Sequence, residues 1–293
     1  MGFQRTHVMR HSSGAASLPD FVTPIALPGT LRRVVSNLRI HAIDSGWTRR
    51  TPLRTHLVVC GFPRAGTTLL TLMLQVAYRG AKAFPKERAA LRLAYRTDRD
   101  HALMLSKRPD DIFYLDALRE VYRRRNSRVR FVLMMRDPRA VLTSRHASEP
   151  GRYYVSVERW RAIYQRVWDN RAAQDCLLLR FEDMVENIAA VQRSVVRFVG
   201  EEPQVPFECF LDNVPTGYRS TALNGLRGLD PATIRKWRDP GHKARIDALL
   251  QDCPELPNVL VDTGYEHDKT WMAGYGTAGL LTKEGEDGER RHS

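Results

Sequence analysis

The clearest pattern along the chain is an apolar run, residues 57–61, that leads into a glycine-containing turn and then into a segment of helical periodicity. The run predicts a buried strand, and the turn closes at Gly66. The apolar positions after the turn recur with a helical spacing at Leu69, Leu70, Met73 and Leu74. A strand, a tight loop and a helix in this order bring free backbone amides and the positive end of a helix dipole to one point. This stretch therefore predicts an anion-binding loop.

The remainder of the chain alternates the same two patterns. Residues 131–135 and 176–181 are further apolar runs, typical of parallel strands that are buried on both faces. Helices are predicted over residues 112–125, 157–171, 182–199 and 242–251. This order predicts an α/β fold with three α/β/α layers, a parallel sheet of about four or five strands, and a P-loop-like phosphate-binding loop after the first strand.

Changes in composition predict three regions. Residues 1–50 form an N-terminal leader with one short helix, residues 51–270 form the main domain, and residues 271–293 form a charged, glycine-rich tail that we expect to be disordered. The leader helix carries Val34, Val35 and Leu38 together with a basic face. Either it packs on the domain, or it contacts an acidic partner or a membrane surface.

Composition narrows the functional classes. The chain has 293 residues, 43% of them hydrophobic, and a net charge of +13, which attracts polyanions, nucleotides or acidic membrane surfaces. Its apolar runs are far shorter than the ~18 residues that a transmembrane helix needs. The four cysteines form no Cys-x-x-Cys pair, which disfavours zinc binding and a disulfide framework. We expect a cytoplasmic protein, with peripheral binding at an anionic membrane as an alternative; no specific nucleic acid is expected, and a homodimer is left open.

The predicted loop has the Gly-x4-Gly spacing of a nucleotide triphosphatase, from Gly61 to Gly66, but not its chemistry. Thr67 stands where such enzymes carry the lysine that reaches the β and γ phosphates. The cation of this loop is Arg64 instead. The loop is therefore suited to an anion and poorly suited to metal-assisted phosphoryl transfer.

A second motif follows the strand at residues 131–135. Arg136 stands at the carboxyl end of that strand, where open α/β sheets bind their ligands, and Pro138 can begin the next helix. Ser144 lies about two helical turns further on. One guanidinium and one hydroxyl could thus hold a single phosphate.

These two motifs, Pro63–Thr68 and the run from Arg136 through Asp137 and Pro138 to Ser144, resemble the nucleotide-binding motifs of sulfotransferases. The similarity is to the enzymes that use 3′-phosphoadenosine 5′-phosphosulfate (PAPS), in particular their bacterial and glycan-type branch. It implies a sulfotransferase domain over residues 51–270, PAPS as sulfuryl donor, adenosine 3′,5′-bisphosphate as product, and no metal. It assigns Arg136 and Ser144 to the 3′-phosphate and Arg64 to the bridging oxygen. It assigns the 5′-phosphosulfate to Pro63, Arg64, Ala65, Gly66, Thr67 and Thr68.

Transfer to an acceptor hydroxyl also requires a base. Several glycan and protein-tyrosine members of this family use a glutamate shortly after their second strand, and by that resemblance Glu87 is the expected base. The competing residues are His101, Asp98 and His146.

Other assignments stay open on the sequence alone. Lys107 and Pro109 loosely match a Lys-x-Pro segment that the family carries near the acceptor pocket, and Arg227, Lys236 and Arg238 loosely match its later basic segments. The acceptor could be a glycan, a lipid-linked molecule or a small natural product. Two other functions remain as alternatives: a magnesium-dependent nucleotide or small-molecule kinase, and a non-catalytic protein that binds nucleotides or polyanions.

Overall fold

The fold is built on a parallel sheet of five strands in the order β2-β3-β1-β4-β5. The computed structural model describes residues 18–84, 86–98, 100–146, 149, 151–214 and 228–276. The strands are β1 Thr55–Gly61, β2 Lys82–Ala83, β3 Leu103–Lys107, β4 Arg128–Met135 and β5 Cys176–Arg180. The predicted α/β class with about four or five parallel strands is therefore confirmed.

Strand β1 lies at the centre of the sheet, between β3 and β4. All seven of its residues are buried, and successive side chains of a strand point to opposite faces, so neighbouring elements cover both faces of the sheet. The helices are α1 Thr30–Asp44, α2 Thr67–Ala77, α3 Ala90–Leu93, α4 Leu115–Arg123, α5 Pro138–Leu142, α6 Val157–Asn170, α7 Phe181–Glu186, α8 Ile188–Val199, α9 Lys243–Asp252 and α10 Leu256–Asp262.

Several element boundaries differ from the predicted ones. The helix predicted over 112–125 begins as a 3-10 turn, Pro109–Tyr114, and becomes α-helical only at α4. The helix after Pro138 ends at Leu142, so Ser144 does not lie two turns along a continuous helix. There the Thr143 hydroxyl donates to the Arg139 carbonyl at 2.7 Å, a local bond that competes with helix continuation.

The two ends of the chain are described only in part. Residues 1–17, which carry the start of the predicted leader, lie outside the described residues, and so do residues 277–293 of the predicted tail. The first residues of that predicted tail are packed: a 3-10 turn, Thr270–Gly274, buries Met272. The folded part therefore extends beyond the predicted boundary at residue 270.

Candidate active site

The loop between β1 and α2 requires glycine at both of its ends. Gly61 has φ 111°, and a Cβ there would lie 2.5 Å from the Met134 carbonyl oxygen. Gly66 has φ 80°, and a Cβ there would lie 2.7 Å from Cδ2 of Phe181. The two glycines let the loop turn tightly between β4 and α7, immediately before the start of α2.

Arg64 lies within this loop in a strained conformation. Among the described residues it is the one non-glycine with positive φ, 65°, a region that costs a non-glycine residue on the order of 1 kcal/mol or more. Its side chain is exposed, and its Nε donates to the Ser144 hydroxyl at 2.9 Å. The loop cation and the serine of the second motif are therefore in direct contact.

Arg136 joins the second motif to the loop from the end of β4. Its Nη1 donates to the Arg64 carbonyl at 2.8 Å, and its Nη2 donates to the Thr233 carbonyl at 2.8 Å. The guanidinium lies over the Phe181 ring, 4.3 Å from the ring centre. Burial lowers the pKa of Arg136, and nearby Arg64 lowers it further although Glu182 opposes both. Arg64 and Arg136 are both positively charged and repel each other, so an anion bound between them would be stabilising.

Asp137 pairs with Arg139 and not with Arg136. The Asp137 carboxylate accepts from the Arg139 backbone amide and lies 2.8 Å from Arg139 Nη2. Arg139 is 1% exposed and lies over the rings of Trp237 and Trp271, at 3.6 and 4.5 Å. An ion pair between Arg136 and Asp137 would explain this motif without any ligand. Asp137 is bonded to Arg139 instead, so that explanation does not apply.

Glu182, at the start of α7, supports the same turn. Its Oε1 accepts from the Asp137 amide at 3.0 Å, and burial raises the pKa of Glu182. It thus fixes the backbone immediately after Arg136.

Lys107 is a functional candidate whose role the sequence alone left open. It ends β3 beside Val59 of β1, and its side chain is 7% exposed. Its ammonium group donates to the Thr68 hydroxyl at 2.9 Å and lies 3.4 Å from Glu87 Oε1. A buried cation therefore reaches the first turn of α2, and the sequence signal for it was the Lys-x-Pro segment directly after an apolar strand.

The four candidate bases lie in different places. Glu87 lines the same cleft as the loop residues, and its side chain is 53% exposed. Asp98 pairs with Arg96, and His101 lies near Asp98 at a separate small hollow. His146 stacks on the ring of Tyr154, with 5.3 Å between ring centres. Glu87 is thus the one of the four that itself lines the cleft.

This cleft has a volume of about 500 Å³. Lys236 and His242 line it, whereas Arg238 lies over the Trp237 ring at 5.0 Å and Arg227 lies outside the described residues. Of the predicted site, the cleft is lined by Pro63, Arg64, Gly66, Thr67, Thr68, Glu87, Arg136 and Ser144, while Ala65, within the loop, is buried. The two motifs and the expected base therefore share one cleft at the carboxyl ends of β1 and β4.

No group of three or more His, Cys, Asp or Glu side chains in the described part of the chain is placed to hold a metal ion. None of the helices described is both long enough and apolar enough to cross a membrane.

Comparison with known proteins identifies a family. The profile described as "Sulfotransferase domain" matches residues 54–213, which is more than half of the chain. No curated protein sequence matches the chain.

The similar solved structures are distant. The sulfotransferase domain from the Synechococcus PCC 7002 olefin synthase is 17% identical, with 66% of this chain and 90% of that chain covered and a TM-score of 0.47. The sulfotransferase domain from the curacin biosynthetic pathway is 15% identical, with coverages of 69% and 98% and a TM-score of 0.42. Mouse sulfotransferase SULT7A1, complexed with PAP, is 13% identical, with coverages of 75% and 90% and a TM-score of 0.39.

Proposed function

The chain belongs to the sulfotransferase domain family, and we propose that it transfers a sulfuryl group from PAPS to a hydroxyl or amine of an acceptor. The observation that carries the proposal is the contact between the two motifs. Arg64 Nε lies 2.9 Å from the Ser144 hydroxyl, and Arg136 Nη1 lies 2.8 Å from the Arg64 carbonyl. These contacts bring the two cations expected for the 5′-phosphosulfate and the 3′-phosphate of the donor into one cleft.

The residues fit the two anionic ends of PAPS differently. The loop amides with Thr67 and Thr68 would hold the 5′-phosphosulfate at the start of α2. Arg136 and Ser144 would hold the 3′-phosphate. Arg136 Nε is buried and has no hydrogen-bond partner among the described residues, so it is available to an added phosphate oxygen.

The reaction we propose is an in-line displacement at sulfur. Glu87 accepts the proton of the acceptor group, whose oxygen or nitrogen forms a bond to sulfur. The bond between sulfur and the bridging oxygen breaks, and its electron pair stays on the 5′-phosphate of adenosine 3′,5′-bisphosphate. Arg64 and the loop amides stabilise the charge that grows on this oxygen.

Lys107 supports both halves of this step. It lies 2.9 Å from the Thr68 hydroxyl on the donor side and 3.4 Å from Glu87 on the acceptor side. Its hydrogen bond holds the Thr68 hydroxyl in place, and its charge attracts the carboxylate that must receive the proton. No metal is required for these roles.

We propose that the acceptor is a glycan, a lipid-linked molecule or a small natural product. Lys236 and His242 line the cleft in addition to the residues that the donor needs, and a positively charged lining favours an acceptor with acidic groups. We propose a reducing, cytoplasmic setting because all four cysteines are free and three of them are buried.

Two measurements test the proposed function. Adenosine 3′,5′-bisphosphate should raise the melting temperature more than ATP with Mg²⁺ does, whereas a kinase would show the reverse. Labelled sulfate from PAPS should then enter a product in an extract of the native host. Stabilisation by the bisphosphate without any transfer would instead indicate a non-catalytic binding protein.

A further inference from the structure

Helix α1 carries an apolar face that points away from the protein. Its exposed residues include Leu31 at 79%, Val34 at 51%, Val35 at 41% and Leu38 at 67%. These positions follow the i, i+3, i+4, i+7 spacing that places residues on one side of a helix. Ile40 and Ile43 are buried against the domain. The helix is therefore apolar on its packed side and again on its outer side. We call the outer face, formed by Leu31, Val34, Val35 and Leu38, the α1 stripe.

Arginines flank the α1 stripe on both sides. Arg32 and Arg39 are exposed and lie next to it on the helix. Across the stripe, a groove of about 460 Å³ between α1 and α4 is lined by Val34, Leu38 and Arg124. Arg124 is 79% exposed, and its Nη2 lies 3.9 Å from Oε1 of Glu120 on α4. Just beyond the helix, Trp47 is 76% exposed.

We propose that the α1 stripe docks on the surface of an anionic lipid bilayer. Apolar residues that enter the headgroup region, arginines at their margins and an exposed tryptophan at the helix end are the combination that an interfacial helix uses. Anionic headgroups attract such arginines. This surface lies outside the cleft, so the inference does not rest on the proposed function.

Charge argues against a second copy of the chain as the occupant. Two α1 stripes packed across a twofold axis would bring Arg32 and Arg39 of one copy close to those of the other. The single acid of α1, Asp44, is already bonded to the Leu53 amide and the Ser127 hydroxyl. The acid beside the groove, Glu120, is already paired with Arg123 at 2.8 Å. The pairing of two copies would therefore place cations together with no unpaired acid of α1 or of the groove rim to offset them.

The attachment of α1 to the domain leaves the cleft accessible. Asp44 fixes the end of α1 to the segments that lead into β1 and β4. These are the amino ends of the strands, and the cleft lies at the carboxyl ends. A bilayer bound to the α1 stripe would thus leave the cleft open to an acceptor.

Vesicle flotation of the full chain tests this inference. We expect binding to vesicles of phosphatidylcholine mixed with phosphatidylserine, weaker binding at high salt, and little binding to phosphatidylcholine alone. The double variants Leu31→Ser/Leu38→Ser and Arg32→Glu/Arg39→Glu should each weaken binding by about tenfold or more. All four side chains are exposed, so both variants should fold and keep the basal activity.

The matched control is Arg193→Glu/Arg197→Glu, at two exposed arginines on α8. It changes the net charge by the same amount as Arg32→Glu/Arg39→Glu without touching the α1 stripe, and it should bind vesicles nearly as well as the wild type. Equal binding by wild type and both α1 double variants would overturn the inference. So would a dimer, seen by sedimentation, that Leu31→Ser/Leu38→Ser dissociates while no form binds vesicles.

Discussion

Arg64 and Ser144, 80 residues apart in the chain, are joined by a hydrogen bond of 2.9 Å from the arginine Nε to the serine hydroxyl. Arg136 donates to the carbonyl of the same Arg64, so the loop arginine contacts both residues assigned to the 3′-phosphate. The two anion sites are therefore coupled through one residue. The proposed roles of the two arginines nevertheless differ. Arg64 stabilises a charge that develops during transfer, whereas Arg136 binds a charge that the donor always carries.

Replacement of Arg64 by alanine should reduce turnover far more than it reduces affinity for PAPS. The guanidinium stabilises the oxygen that leaves sulfur, and removal of one such donor typically lowers the rate on the order of 10²–10³-fold. Steady-state kinetics together with calorimetric titration of adenosine 3′,5′-bisphosphate measure the two effects separately. Arg64→Lys keeps the charge and should retain an intermediate rate. Wild-type turnover in Arg64→Ala would exclude the assigned role.

Replacement of Arg136 by alanine should act on nucleotide binding. Charge-assisted hydrogen bonds to a phosphate are the stronger ones in proteins, so we expect the affinity for adenosine 3′,5′-bisphosphate to fall about tenfold or more. The matched ligand is adenosine 5′-monophosphate, which lacks the 3′-phosphate. Its affinity should change much less, and equal losses for both nucleotides would show that Arg136 only maintains the shape of the loop.

The parts of the site that the sequence predicted are those encoded within one strand-to-helix turn. The two turns carrying Arg64 and Arg136 are local in sequence, so their residue pattern and its resemblance to the family's motifs were enough to predict them. Lys107 was harder to place because its contact with Thr68 depends on β3 lying beside β1, which is a long-range pairing. The pair of Asp137 and Arg139 is local, but the guanidinium of Arg139 is covered by Trp237 and Trp271, which come from much later in the chain.

Replacement of Glu87 by glutamine should lower turnover with little change in nucleotide affinity. Loss of a general base typically lowers the rate by about 10²–10⁴-fold, and the isosteric amide keeps the shape of the cleft. The matched controls are Asp98→Asn, His101→Gln and His146→Gln, which remove the other candidate bases. Each should retain most of the activity, and a larger loss in any of them than in Glu87→Gln would move the base to that residue.

Replacement of Gly66 by alanine should destabilise the fold as well as the loop. The new Cβ would lie 2.7 Å from Phe181 Cδ2 at a backbone φ of 80°, and a residue forced into that region costs about 1–3 kcal/mol. The matched control is Gly80→Ala, where a Cβ meets nothing within 4 Å. Denaturant titration should show a change within about 0.5 kcal/mol for the control. Equal stability of the two variants would contradict the steric account.

The buried carboxyl of Asp111 should make the stability of the protein depend on pH. Burial raises the pKa of Asp111 from 3.8 to about 7, although the Ala90 amide donates to it at 2.9 Å and Arg108 lies nearby. A carboxyl whose pKa is higher in the folded state favours folding while it is protonated, and this contribution is lost as the pH rises towards 7.

Asp111→Asn keeps the acceptor oxygen and cannot ionise. Its free energy of unfolding should therefore fall less than that of the wild type between about pH 5 and about pH 8, with each unit of pKa difference worth about 1.4 kcal/mol. Denaturant titrations of both proteins across this range measure the two slopes, and parallel curves would mean that Asp111 is already ionised in the folded protein.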